Sequence, residues 1–207
     1  QGRAIRTGRI LAAEFVNQGI RHAAYLFTHP NGRQEYYNQD GKSHKEGFLR
    51  SPLEFSRVSS GFSMRLHPIL GIWREHKGVD YAAPQGTAVK ATSDGLVEFV
   101  GRQNGYGNFV VLRHGAKYTT AYGHLSGFAQ GLKAGSHVAQ GETIGYVGST
   151  GWATGPHLHY EFRIDNIHQD PLTVSLPNAS ALSGSALATF RNQTTALSAR
   201  LTQLQQS

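Results

Sequence analysis

"HLHYEFRI", residues 157–164, alternates without a break. Leu158, Tyr160, Phe162 and Ile164 are apolar, and His157, His159, Glu161 and Arg163 between them are polar. Successive side chains of a β-strand point to opposite faces. Eight residues of strict alternation therefore predict a strand with one face on a core. The two histidines then stand side by side on the polar face, turned from the core toward a cleft. Around this strand, "TAVKATS", "GLVEFVG", "NFVVLRH", "YTTAYGH" and "ETIGYVG" read as further strands with glycines between them. Helical periodicity is absent from residues 51–173. The expected fold is mainly β, with an antiparallel sheet or sandwich as its core.

The flanks differ from this core. Residues 1–50 hold three strand-like runs broken at "NQG", "HPNG" and "NQDG", all turn signals. They form a small N-terminal β accessory unit, too short to bury a good core alone and expected to pack on the adjoining core region. Beyond residue 173 the composition changes. "SLPNASALSGS" reads as a linker, and Leu187, Phe190, Leu197, Leu201 and Leu204 then fall on one helical stripe, with Thr194 filling its gap. Ser183 or Ser185 can cap that helix. A helix lying on the body of the protein is favoured over a short coiled coil. The expected organisation is thus 1–50, 51–173 and 174–207.

Composition narrows the chemistry. The 207 residues contain no cysteine and eleven histidines. Disulfides, thiolate metal sites and cysteine nucleophiles are excluded, so a metal site must use His, Asp and Glu. The formal net charge is +7, but the 20 Lys and Arg are scattered. Nucleic acid is not the expected partner; an anionic polymer such as a cell wall accounts for the charge equally well. No apolar run is long enough for a transmembrane helix. The chain starts at Gln1 rather than Met, which reads as a piece excised from a longer precursor.

Two imidazoles on one strand face suit metal binding or acid–base work. In "EHKGVDYAAPQG", residues 75–86, His76 and Asp80 share a face of an extended segment, because Gly78, Pro84 and Gly86 oppose a useful helix. Val79 and Tyr81 turn inward, and Gly78 between the two polar residues leaves room for an ion. Alone, this motif fits a surface ion pair. Together, the motifs offer two His and one Asp, three protein ligands with a fourth position open, as in catalytic zinc sites. Ca²⁺ and Mg²⁺ prefer all-oxygen shells. In "YGHL", residues 122–125, His124 ends a β-like run before a turn and is either an acid–base group or a turn histidine.

The order H-x-x-x-D, then Y-G-H-L, then G-P-H-L-H-Y-E resembles the M23 family of LytM/lysostaphin-type zinc metallopeptidases. The context "SSGFSMRLHPILG…HKGVDYAAPQGTAV" is similar as well, and the resemblance spans about residues 55–172. It implies an enzyme that cuts peptidoglycan cross-links with one Zn²⁺. His76, Asp80 and His159 match the family's metal ligands. His124 and His157 match its two non-ligand histidines near the water and the scissile carbonyl, without telling which does what. His67, in "RLHP", is read as structural or cleft-lining, and Tyr122 has no assigned role. The flanking sequence resembles Gram-negative periplasmic members, which implies a D-Ala–meso-diaminopimelate bond as substrate; lysostaphin-like members cut glycyl bridges instead. In multi-domain relatives, segments outside the core can cover the cleft. Two other readings stand beside the enzyme. One is a non-catalytic LytM-like module that binds or activates another hydrolase, but such members lose metal ligands and this chain keeps all five residues. The other is a biotinyl/lipoyl-like carrier, from "LKAGSHVAQGETIG", but no lysine sits at a matching hairpin tip.

Overall fold

The computed structural model describes residues 8–54, 57–66, 73–177 and 181–205. His67 lies outside them. Among the described residues the strands run β1 (Ala12–Asn17), β2 (Ile20–Thr28), β3 (Gln34–Tyr37), β4 (Arg57–Ser60), β5 (Ser63–Leu66), β6 (Trp73–His76), β7 (Val79–Ala82) and β8 (Ala88–Lys90). They continue as β9 (Gly95–Gln103), β10 (Gly107–His114), β11 (Tyr118–Phe128), β12 (His137–Val138), β13 (Thr143–Val147), β14 (His157–Ile164) and β15 (Ile167–Gln169). One helix, α1 (Gly184–Gln205), comes last. The fold is mainly β and its strand pairs are antiparallel, as the succession of strand-like runs with glycines between them predicts.

Two compact units form, residues 1–47 with 177–207, and residues 48–176. In the first, β1, β2 and β3 make a three-stranded sheet. Gln18 and Gly19 both take positive φ between β1 and β2, the two-residue turn whose twist suits a hairpin. The apolar partner that residues 1–50 lack comes from α1. Phe190, fully buried, meets Tyr25, Phe27 and Tyr37 edge-on. Leu187, Leu197 and Leu201 extend the same stripe. Thr194 is buried within it, and its hydroxyl donates to the Phe190 carbonyl at 2.9 Å, which satisfies that hydroxyl. The helix and the N-terminal strands therefore share one core, where the sequence suggests separate first and last segments.

In the second unit the main sheet runs β12-β9-β10-β11-β14-β7-β4, with β13 pairing both β11 and β8, and β15 pairing β14. β5 and β6 pair with each other in a separate two-stranded sheet. The predicted apolar side of β14 is buried as far as Phe162: Leu158, Tyr160 and Phe162 are at most 2% exposed, and Ile164 at the strand end is half-buried. Burying each contributes about 1.5–3 kcal/mol. The polar side departs from expectation, because His159 and Glu161 are buried too. β14 lies between β11 and β7, and the Tyr106 ring covers His159.

Candidate metal centre

Register brings the polar residues together. β14 pairs β7 with His159 opposite Asp80 and His157 opposite Ala82. On its other edge Gly123 of β11 lies opposite His159. His76 ends β6, and Lys77 and Gly78 carry the chain into β7. A Cβ at Gly78 would overlap the Tyr160 carbonyl oxygen and lie 2.9 Å from His159 Cε1 and 3.0 Å from Glu161 Cγ. The glycine thus makes room for β14 and its side chains, not for an ion as the sequence suggested.

His76 Nε2, Asp80 Oδ1 and His159 Nδ1 form a tight triangle. The separations are 3.0 Å for His76–Asp80, 3.1 Å for His76–His159 and 2.9 Å for His159–Asp80. All three residues are buried, so they are not a surface ion pair. His76 Nδ1 lies 2.7 Å from the Gly61 carbonyl oxygen, and His159 Nε2 lies 3.0 Å from Glu161 Oε1. Those partners only accept, so each ring carries its proton there and turns a lone pair into the triangle. Three acceptors then face one point, which a cation satisfies. Two imidazoles and a carboxylate suit zinc. Electrostatics agree. Burial opposes charge on Asp80, but its close contacts with His159 and His76 outweigh it and hold the carboxyl well below the usual range. Burial likewise opposes charge on His159, but Asp80 and Glu161 push its pKa up to about 9. A cation entering the triangle takes the place of the second proton that these two carboxylates draw onto His159.

His157 stands outside the triangle, its Nε2 3.9 Å from Asp80 Oδ1 and its Nδ1 2.8 Å from the Gly155 carbonyl. His124 Nδ1 is 2.8 Å from the Thr150 carbonyl. The rings of His124 and His157 have centroids 4.7 Å apart. Both residues line the same cleft, about 560 Å³ in volume, as the triangle does. His124 lies inside β11, not at its end before a turn. It has a positive φ of 60° beside a register shift between β10 and β11, and its N–H donates to the Tyr106 carbonyl at 2.7 Å. Non-glycine residues occupy this conformation at a cost of about 1–3 kcal/mol, commonly at functional sites. Burial above all lowers the His124 pKa to about 4, and the neighbouring His157 and His159 add to that. Tyr122 is a core residue whose hydroxyl bonds Thr92 and Thr120.

The alternation puts Glu161 on the polar face but gives it no role. The structure buries it fully. Its Oε1 accepts from the Tyr106 hydroxyl at 2.7 Å as well as from His159, and its Oε2 from Arg163 Nε at 3.0 Å and His168 Nε2 at 3.1 Å. Burial would raise its pKa, but His159 and Arg163 hold it well below the usual range. The signal available in the sequence is the two-residue spacing from His159 on one strand face.

An antiparallel β fold with two histidines and an aspartate converging in a cleft that leaves room for a substrate fits a metallopeptidase. The family model described as peptidase family M23 matches residues 74–171, and this chain belongs to that family. It is 47% identical over 191 residues to the peptidoglycan DD-endopeptidase ShyC of Vibrio cholerae, covering 92% of this chain and 43% of ShyC. It is 47% identical to the DD-carboxypeptidase/endopeptidase Mpg of Neisseria meningitidis, covering 97% of this chain and 47% of Mpg. A crystal structure of a zinc-containing peptidase from Vibrio cholerae matches with a TM-score of 0.60 and 34% identity, covering 82% of this chain and 51% of that one. The chain thus spans about half the length of these relatives. Among the described residues, no helix is long and apolar enough to cross a membrane.

Proposed function

We propose that this chain carries the catalytic unit of a zinc-dependent peptidoglycan hydrolase of the DD-endopeptidase type. Its substrate is the D-Ala–meso-diaminopimelate cross-link, and its place is the periplasm or cell envelope. The observation that supports this reading is the convergence of three lone pairs beside two further histidines in one cleft. The names of ShyC and Mpg point to the same bond class. A non-catalytic module is disfavoured because all five residues are present.

His76, Asp80 and His159 would hold the ion through Nε2, Oδ1 and Nδ1. Bound zinc supplies Lewis acidity, bringing the pKa of water toward about 7 and polarising a carbonyl. His124 and His157 each give their Nδ1 proton to a backbone carbonyl, so Nε2 of each is the working nitrogen. One Nε2 takes the proton of the attacking water and returns it to the leaving amine. The other ring, when it carries a proton on Nε2, donates that N–H to the oxygen that gains charge on the scissile carbonyl.

The test is digestion of cross-linked Gram-negative peptidoglycan by the zinc-loaded chain, with products identified by mass. Cross-linked muropeptides should convert to monomers. Release of terminal D-Ala alone would reassign the chain as a carboxypeptidase, and unchanged products would favour a binding module.

A further inference from the structure

We propose that Glu161 is a positioning residue that makes His159 bind the metal through Nδ1. This rests on the zinc reading above. A fully buried carboxylate needs charged or hydrogen-bonding partners to remain ionised, and both oxygens of Glu161 have them. Tyr106 and His159 approach Oε1, while Arg163 and His168 approach Oε2. Donors on both oxygens stop the carboxylate from turning. An ionised carboxylate only accepts, so the His159 Nε2 facing it must carry the proton. The lone pair on Nδ1 is then aimed at His76 and Asp80, 3.1 and 2.9 Å away.

The backbone enforces this arrangement. Glu161 and His159 are two residues apart on β14, whose register is set by β7 and β11 on either side. The missing Cβ of Gly78 lets the His159 ring and Glu161 Cγ lie close to the turn after His76. The two histidines of the triangle differ here. His76 leans on a neutral backbone carbonyl, that of Gly61, and His159 on a buried anion. An anionic partner makes the ring a stronger ligand as well as fixing its tautomer. If Glu161 served only to neutralise Arg163, neither effect would depend on it.

Zinc affinity, measured by competition with a chromophoric chelator, tests this on the parent chain and on Glu161→Gln, Glu161→Asp and Arg163→Met. Glu161→Gln removes the charge. Glu161→Asp keeps it but draws the carboxylate back by one methylene, out of reach of Nε2. Both should weaken zinc binding by about 10–100-fold with the β-rich circular dichroism retained, and both should shift the visible absorption of the Co²⁺-loaded protein. Arg163→Met removes one donor to the carboxylate but leaves Tyr106 and His168 on its two oxygens, so it should weaken zinc binding less than either Glu161 variant. A parent that binds no zinc sinks the metal site itself. A parent that binds zinc while both Glu161 variants stay within about twofold of it overturns the role of Glu161. A loss in Arg163→Met equal to that in Glu161→Gln assigns the effect to the ion pair and overturns it as well. Should both Glu161 variants unfold, ¹⁵N spectra of the zinc-loaded parent decide. A protonated Nε2 and a metal-bound Nδ1 on His159 are expected, and the reverse assignment refutes the proposal.

Discussion

His157 and His159 share a strand, a face and a side-chain type, so what separates them is what each nitrogen touches. His159 spends Nε2 on a buried carboxylate and aims Nδ1 into a three-way contact with His76 and Asp80. His157 spends Nδ1 on the Gly155 carbonyl and keeps Nε2 nearly 4 Å from Asp80. Strand periodicity cannot see this, because it reports faces and not hydrogen-bond partners. The asymmetry predicts two classes of alanine variant. His76→Ala, Asp80→Ala and His159→Ala should lose bound zinc, read by atomic absorption, and all cleavage with it. His124→Ala and His157→Ala should keep zinc and lose rate by about 10²–10⁴. Zinc loss from His157→Ala would make that ring a ligand.

At the scale of elements, the strand at 157–164 was legible because eight alternating residues leave one period possible. The hairpin of β1 and β2 was legible because "NQG" is a turn signal and its glycine accepts positive φ, although Gln18 rather than Asn17 takes the other positive-φ position. What stayed hidden depends on neighbours distant in the chain. Burial of the polar side of β14 comes from Tyr106 and from strands on both its edges. The placement of His124 comes from a bulge, a mismatch between two strands that neither shows alone. Gly78 is the sharpest case. Its position between His76 and Asp80 suggested space for an ion, and the structure gives that space to β14. Gly78→Ala should therefore act through packing. A methyl group there pushes the β6–β7 connection off β14, at a cost of about 1–3 kcal/mol for forced overpacking. It also separates His76 from His159. Urea unfolding should show the lower stability and a chelator competition the weaker zinc. Normal zinc binding with unchanged stability would mean that the backbone absorbs the methyl group, and that the glycine is not needed for the close approach.

At the scale of the whole molecule, the two units divide the work. Every residue of the candidate centre, with its Tyr106, Thr150 and Glu161 supports, lies within residues 48–176. The other unit depends on α1, so Phe190→Ala should cost it about 3–5 kcal/mol. Helix loss by circular dichroism should come at lower temperature while zinc content is unchanged. The metal unit carries a pH dependence away from its centre. His114 is buried, with Nδ1 2.8 Å from the Asp94 carbonyl and Nε2 2.7 Å from Thr120 Oγ1, and the Phe48 ring lies edge-on to it. Burial, more than anything else, lowers its pKa from the ordinary 6.5, against the smaller opposing pull of Asp94. The unfolded chain, where the ring titrates near 6.5, thus binds a proton that the folded chain refuses. The stability tied to neutral His114 is fully present above about pH 6.5 and falls as the pH drops below it. Both tryptophans, Trp73 and Trp152, lie in this unit, so their fluorescence tracks its unfolding. Urea titrations at about pH 7.5 and pH 5.5 should show the parent losing more stability on acidification than His114→Gln, which has no proton to take up there. Equal losses in the two proteins would show that His114 titrates alike in the folded and unfolded states, and that its burial carries no cost in charge.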